Sequence, residues 1–286
     1  MVIYSSIGER LAEHSYLVLR LYCEMFGPRH EKLVAKRLSV DLKLVSEAMR
    51  TACLLHDVGK ALKGFQQRIR EERGSKFHEV VSALFTYEVL RDSLSNADFV
   101  ARQQLSFAAT YAVIQHHQAM RSLSEVLEKS LELLPLDGGI DEDLVDEITM
   151  AAQMVTHLFD ASRLLEVFKE KVGEVSASGE RLREKLQRFR HHFGQWIRSG
   201  APPNIPSKKV ESWAEAWGRL QFALPLFVAP LQLSDYLAAF ITRGGRGRRL
   251  HREALSLLRR APVNLLTSCL TSARSSTSIT STFSSF

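Results

Sequence analysis

The stretch Leu54-Leu55-His56-Asp57-Val58-Gly59-Lys60 decides the fold, because a histidine and an aspartate stand side by side directly after an apolar run. Imidazole and carboxylate together suit Mn, Fe, Ni, Co or Zn better than a set of oxygen ligands alone would. An aspartate has two oxygens, so Asp57 can bridge two cations about 4 Å apart. An isolated His-Asp pair is more often structural than functional, so the interpretation depends on the rest of the chain.

The composition is that of an ordinary globular protein. Of the 286 residues, 45% are hydrophobic and 24% are charged, which excludes wholesale disorder. The three cysteines are scattered and form no CxxC pair, so we expect neither disulfides nor a thiolate zinc site, and a cytoplasmic location fits. We also expect no membrane span. The net charge of +6 is compatible with a polyanionic partner.

The spacing of apolar residues predicts an all-α fold. Apolar residues recur three and four apart, and no stretch alternates convincingly as a strand. We expect helices over roughly 7–26, 40–62, 77–93, 98–118, 141–173, 178–199, 208–241 and 247–259. We expect one domain over 1–265 with a helical insertion at about 120–230, followed by a mobile Ser/Thr-rich tail over 266–286.

Five further positions combine with the His-Asp pair. His14 lies on an otherwise apolar helical face, His78 stands at a helix start, and His116 and His117 follow an apolar helix in tandem. Asp235 lies inside a strongly apolar helix, where a charge is costly unless it is paired or bound to a metal. Each position alone has an ordinary structural explanation. The ordered set His…HisAsp…His…HisHis…Asp is the strong signal.

This set resembles the HD phosphohydrolase superfamily and, more narrowly, the HD nuclease of type I CRISPR interference systems. The similarity spans about residues 8–240 and rests on EHS at His14, HDVGKALKGFQ over 56–66, FHEVVSA over 77–83, the HH pair and SDYLAA around Asp235. One departure is Ser234, where the family usually has alanine. The resemblance implies an HD-domain helical bundle with additional C-terminal helices.

The resemblance also implies roles for individual residues. One metal would be held by His14, His56, Asp57 and Asp235, and a second by Asp57, His78, His116 and His117. Asp57 and Lys60 would be the catalytic residues, with Lys60 on the same helix face as His56 and directed at a phosphate oxygen. The cofactors would be two divalent transition metals, Mn, Fe, Ni or Co, with Mg as the alternative.

The implied activity is hydrolysis of phosphodiester bonds, mainly of single-stranded DNA and alternatively of RNA, in CRISPR antiviral defence. The sequence has no GxxxxGK[ST] phosphate loop, so a separate helicase subunit would supply unwound DNA to a nuclease that works with an RNA-guided surveillance complex. Candidate phosphate contacts are Arg243, Arg246, Arg248 and Arg249. The basic stretch 181–198 is a weaker candidate, since a solvated helix face explains it better.

Two alternatives remain open from the sequence. An HD phosphohydrolase that acts on nucleotides or cyclic nucleotides needs only the minimal pattern, so His78 and the His116-His117 pair favour the nuclease. A binding subunit that keeps the fold without catalysis would have no need of the intact ligand set. Turnover of mononucleotides without DNA degradation would identify the first alternative, and failure to take up metal the second.

Overall fold

The computed structural model describes residues 2–117, 123–156, 159–176 and 178–243. These residues form a helical fold, which confirms the all-α prediction. The helices are α1 Leu11–Met25, α2 Gly27–Leu38, α3 Leu42–Leu55, α4 Lys63–Arg70, α5 His78–Ser93, α6 Phe99–Gln115, α7 Leu123–Leu133, α8 Leu144–Met154, α9 Ser162–Ser176, α10 Gly179–Ser199 and α11 Val210–Thr242. Short 3-10 turns cover Val58–Ala61 and Ser207–Lys209.

Part of the sequence prediction lies outside the described residues. This applies to the helix expected over 247–259, to the tail over 266–286, and to Arg246, Arg248 and Arg249. The division into one domain with an insertion and a tail therefore stays a prediction.

A small antiparallel hairpin, β1 Tyr4–Ser6 and β2 Glu9–Arg10, precedes the first helix. The prediction of helix from residue 7 was wrong at this end because Gly8 adopts a φ of +70°, which a helix does not allow. The first turn of α1 has no cap from its own flanking residue. Instead, the buried Glu147 of α8 accepts a hydrogen bond from the Ala12 backbone N at 3.1 Å, which satisfies one of the helix's orphan donors.

Two predicted helices are interrupted in the structure. The one expected over 40–62 ends at Leu55, because Asp57 takes a φ of −112° and a ψ of 3° and turns the chain into the first 3-10 turn. The one expected over 141–173 divides into α8 and α9, and the Asp160 side chain accepts from the Ser162 backbone N at the start of α9. Helices α2, α4 and α7 were not predicted.

The core packs the helices against a central α11. This helix contacts α1, α2 and α6, while α5 packs on α6 and on α9. The largest fully buried side chains, Trp196, Tyr22, Phe65, Phe85, Phe107, Phe168 and Phe227, come from seven different helices. Burying one such side chain stabilises the fold by roughly 1.5–3 kcal/mol.

One described helix has the length and composition of a membrane span. The segment Ser207–Thr242 passes this test, although half of its most apolar window is buried inside the protein. Because its neighbours are α1, α2 and α6, its packing is that of a core helix.

Candidate metal centre

Five segments of the chain converge on one point in the core. His14 lies within α1, His56 and Asp57 directly follow α3, and His78 begins α5, while the tandem histidines follow α6 and Asp235 lies in α11. The side chains form two groups in which potential ligand atoms lie within 4.8 Å of one another: Asp57, His78, His116 and His117 in one, and His14, His56 and Asp235 in the other. All seven residues singled out as ligands in the sequence are thus brought together. Each is buried except His117, which is partly exposed.

Asp57 stands between the two groups and presents one oxygen to each. Its Oδ1 lies 2.8 Å from His78 Nε2 and 3.7 Å from His116 Nε2. Its Oδ2 lies 3.4 Å from His14 Nε2 and 3.6 Å from His56 Nε2. This is the arrangement that a carboxylate bridging two cations requires.

The imidazole rings are oriented by the backbone. In His56, His78 and His116, the Nδ1 atom lies 2.8, 2.6 and 2.5 Å from the carbonyl oxygen three residues earlier. A carbonyl oxygen can only accept, so Nδ1 carries the proton and donates it. In the form of these rings that binds a metal, the lone pair is then on Nε2, which faces the centre.

Several atoms in the centre lack a hydrogen bond. Asp57 Oδ1, His78 Nε2, His116 Nε2 and His117 Nδ1 are buried, and none makes a hydrogen bond of acceptable angle with a described residue, although Asp57 Oδ1 and His78 Nε2 lie only 2.8 Å apart. Leaving one such atom unsatisfied costs about 1–3 kcal/mol. Imidazole nitrogens and a carboxylate oxygen are ligands that a divalent cation accepts, and a cation among them would satisfy these atoms. The residues therefore fit a metal.

The charge states favour ligation. Burial raises the pKa of Asp57, but Lys60 and the surrounding histidines outweigh it and hold that pKa well below its usual range. Burial also raises the pKa of Asp235, and the adjacent His14 and His56 more than offset this. Burial, with His116 and His78 nearby, keeps the pKa of His117 well below its usual range. Both carboxylates are thus ionised and His117 is neutral.

Glu9 supports the centre and was missed in the sequence. Its Oε1 lies 2.8 Å from His14 Nδ1 and accepts from Thr242 Oγ1 at 2.6 Å, while its Oε2 accepts from Arg243 Nη2 at 3.0 Å. Burial lowers the pKa of His14, but the charge of Glu9 and the hydrogen bonds of Asp235 and Glu9 together outweigh it and raise that pKa to about 9. A metal at His14 Nε2 must therefore displace a proton. Arg243, predicted to contact nucleic acid, pairs with Glu9 in this structure.

Lys60 reaches Asp57 from the 3-10 turn, not along a helix face shared with His56 as predicted. The Lys60 backbone N donates to the Asp57 carbonyl at 2.9 Å, and its Nζ lies 2.5 Å from Asp57 Oδ2. The buried Gln66 side chain donates to the backbone oxygens of Lys60 at 2.8 Å and Tyr4 at 2.9 Å. This amide ties the turn to the hairpin and fixes where Lys60 points.

The centre opens to solvent through a cleft of about 360 Å³. One wall is the hairpin tip, residues 5–7, and the other is the α4–α5 loop, residues 71–77, of which 72–76 line the cleft. Lys60, His78, His117 and Arg243 also contribute to the lining. His78, His116 and His117 form the second histidine group. This group is therefore the part of the centre that a ligand entering this cleft meets.

The comparison with known families agrees with this architecture. The family described as HD domain matches residues 11–239. The chain belongs to the HD-domain family. It is similar to the CRISPR-associated endonuclease Cas3-HD of Methanocaldococcus jannaschii, with 29% identity over 130 residues that cover 41% of this chain and 51% of the relative. It is also similar to the protein of the same name from Pyrococcus furiosus, with 26% identity over 118 residues, 39% of this chain and 47% of the relative.

The chain spans about half the length of the curated relatives it matches. Among solved structures, the CRISPR-associated Cas3 HD domain protein from Methanocaldococcus jannaschii aligns with a TM-score of 0.48 and 23% identity, over 81% of this HD-family chain and 99% of that one. The resemblance inferred from the sequence motifs, to the HD superfamily and to its CRISPR-associated members, is confirmed.

Glu9→Gln should weaken metal binding by about 10- to 100-fold, because partners that orient a ligating histidine contribute that much. The change removes the charge that Arg243 and His14 contact while keeping the side-chain size. Calorimetric titration of metal-free protein with Mn²⁺ measures the effect. Glu24→Gln is the matched control, since Glu24 pairs only with Arg20 at the surface, as far as the described residues extend. Unchanged affinity in Glu9→Gln would contradict the assigned role.

Proposed function

We propose that this HD-family chain is a metal-dependent nuclease that hydrolyses phosphodiester bonds of DNA, preferentially of single strands, in CRISPR defence. The observation that carries the proposal is the position of Asp57, whose two oxygens face two separate histidine groups. A centre for two cations suits phosphodiester hydrolysis, in which attacking and leaving oxygens both need stabilisation. Both similar proteins are CRISPR-associated endonucleases by name, which supports the same activity.

His14, His56 and Asp235 would hold one divalent cation, and His78, His116 and His117 the other, with Asp57 shared. Cations held there would polarise the phosphodiester and lower the pKa of water at the site. The histidine-rich donor set favours Mn, Fe, Ni or Co over Mg.

Lys60 would act on the substrate. Its ammonium group contacts one oxygen of Asp57 and also lines the cleft, so it is adjacent both to the centre and to the space that a phosphate would enter. A cation in this place offsets the charge that accumulates on an attacked phosphate. A separate helicase subunit and an RNA-guided surveillance complex are the partners we propose.

A second candidate is hydrolysis of nucleotides or cyclic nucleotides. The cleft volume of about 360 Å³ is compatible with this activity, since a pocket of that size accommodates a small ligand. Turnover of mononucleotides or cyclic nucleotides without cleavage of DNA would favour this candidate.

Removal of metal with EDTA should abolish cleavage of labelled single-stranded DNA, and Mn²⁺ or Ni²⁺ should restore it. His56→Ala should reduce restored cleavage by at least about a thousandfold, equivalent to roughly 4 kcal/mol of lost transition-state stabilisation. His191→Ala is the matched control, because His191 is also half of a tandem pair but is exposed on α10. Wild-type cleavage by His56→Ala, or turnover of mononucleotides alone, would overturn the nuclease proposal.

A further inference from the structure

The cleft that leads to the centre has two unlike walls. The hairpin tip contributes Ser5, Ser6 and Ile7, and the side chain of Ile7 is 61% exposed despite being apolar. The opposite wall, the α4–α5 loop, contributes two cations, Arg73 and Lys76. Hydroxyl groups and cations are the groups that contact phosphates, whereas an exposed apolar side chain suits a sugar or a base.

The cations of the α4–α5 loop are largely unneutralised. Lys76 is exposed and makes no ion pair with any described residue. Arg73 pairs with Glu71 at 3.2 Å, but their side chains are 70% and 43% exposed, so water screens this contact. Glu72 is the acidic residue of the lining. By contrast, Lys60 and Arg243 are already paired within the protein.

The α4–α5 loop is attached directly to the candidate centre. The Ser75 carbonyl accepts from His78 Nδ1 at 2.6 Å, and the buried Phe77 joins the loop to α5. At the other end, the Arg73 backbone N donates to the Arg68 carbonyl at 2.8 Å. Lys76, two residues before His78, is therefore held at a fixed place beside the second histidine group.

We propose that a single nucleic-acid strand lies in this cleft, with Arg73 and Lys76 contacting its backbone phosphates and Ile7 packing against a sugar or base. The inference rests on the proposed nuclease function and adds the path by which the strand reaches the centre. It moves the main phosphate contacts from the sequence-predicted arginines to a loop before α5. The basic helix face of residues 181–198 lies on α10 and lines no part of the cleft.

The test compares Arg73→Ala/Lys76→Ala with Arg181→Ala/Arg188→Ala, which removes the same charge from exposed positions on α10. Fluorescence anisotropy with a labelled oligo-dT strand in EDTA measures binding without cleavage. The salt slope is the slope of the logarithm of the binding constant against the logarithm of the salt concentration. Losing two phosphate contacts should reduce its magnitude by about 1.4. Raising salt from about 50 to 200 mM should thus weaken wild-type binding about sevenfold more than binding by the cleft variant. The α10 variant should retain the wild-type slope.

Kinetics with Mn²⁺ separate this inference from the proposed function. In the cleft variant, kcat/KM for the oligonucleotide should fall much further than kcat/KM for bis(p-nitrophenyl) phosphate, which is too small to span the cleft. The proposed strand path would be wrong if the cleft variant kept the wild-type salt slope, or if the α10 variant lost as much slope as the cleft variant. Neither result would contradict the proposed nuclease function. Wild-type protein that hydrolyses neither substrate with any metal would instead overturn the proposed function.

Discussion

Asp57→Asn should abolish cleavage, with a loss of about a thousandfold or more in kcat. Asparagine has nearly the same shape as aspartate but only one oxygen, and it is uncharged, so it cannot face both histidine groups as an acceptor. The stabilisation that two cations give a phosphodiester transition state amounts to several kcal/mol, and each 1.36 kcal/mol corresponds to about tenfold in rate. If the wild-type protein holds the two cations proposed above, metal content by mass spectrometry should fall to at most one ion.

Asp146→Asn is the matched control for this substitution, because Asp146 is exposed on α8. It should keep both the metal content and the rate. Circular dichroism of Asp57→Asn should remain helical, so that the loss can be assigned to the centre. Full activity in Asp57→Asn would remove the basis for a shared carboxylate.

Gly59→Ala should destabilise the protein and disrupt the second histidine group. A Cβ at this position would lie 2.1 Å from the backbone oxygen of His78 and 3.0 Å from Val81 Cβ, so the 3-10 turn and α5 would have to separate. Overpacking of this kind costs about 1–3 kcal/mol, and backbone atoms cannot move aside as a side chain can. Urea unfolding in EDTA measures the stability loss without a contribution from released metal.

Gly173→Ala is the control, because a Cβ there meets no atom within 4 Å on α9. This change should leave stability unaltered or raise it by up to about 1 kcal/mol, since alanine favours a helix. A loss of stability in Gly59→Ala no larger than in Gly173→Ala would show that the turn and α5 adapt to the extra methyl group.

The sequence predicted which side chains lie close together better than it predicted the helix boundaries. His14 and Asp235 stand in apolar helices, where a polar side chain needs a buried partner, and the two residues indeed lie 3.1 Å apart. The other tandem pair, His191-His192, is exposed on α10, in contrast to the buried His116.

What the sequence could not predict depends on backbone turns. Glu9 supports His14 only because Gly8 closes a two-stranded hairpin, and no helical spacing relates the two residues. Lys60 reaches Asp57 because the α-helix ends before His56. The spacing of apolar residues continues through this break, so the sequence does not reveal it. Helix α2 begins with Gly27-Pro28. In the sequence this pair indicates a turn, but proline is also compatible with the first turn of a helix, so the start of α2 was missed.

The wide separation of the groups at the centre determines when it can form during synthesis. His14 and Asp235 contact each other across 221 positions of sequence. At roughly 5–20 residues per second, translation needs on the order of ten to forty seconds to travel from the first to the second. Throughout that interval the nascent chain lacks α11, and with it the carboxylate that completes the first cation site. A ribosome-bound product therefore acquires its full set of ligands only after its central helix has emerged and docked.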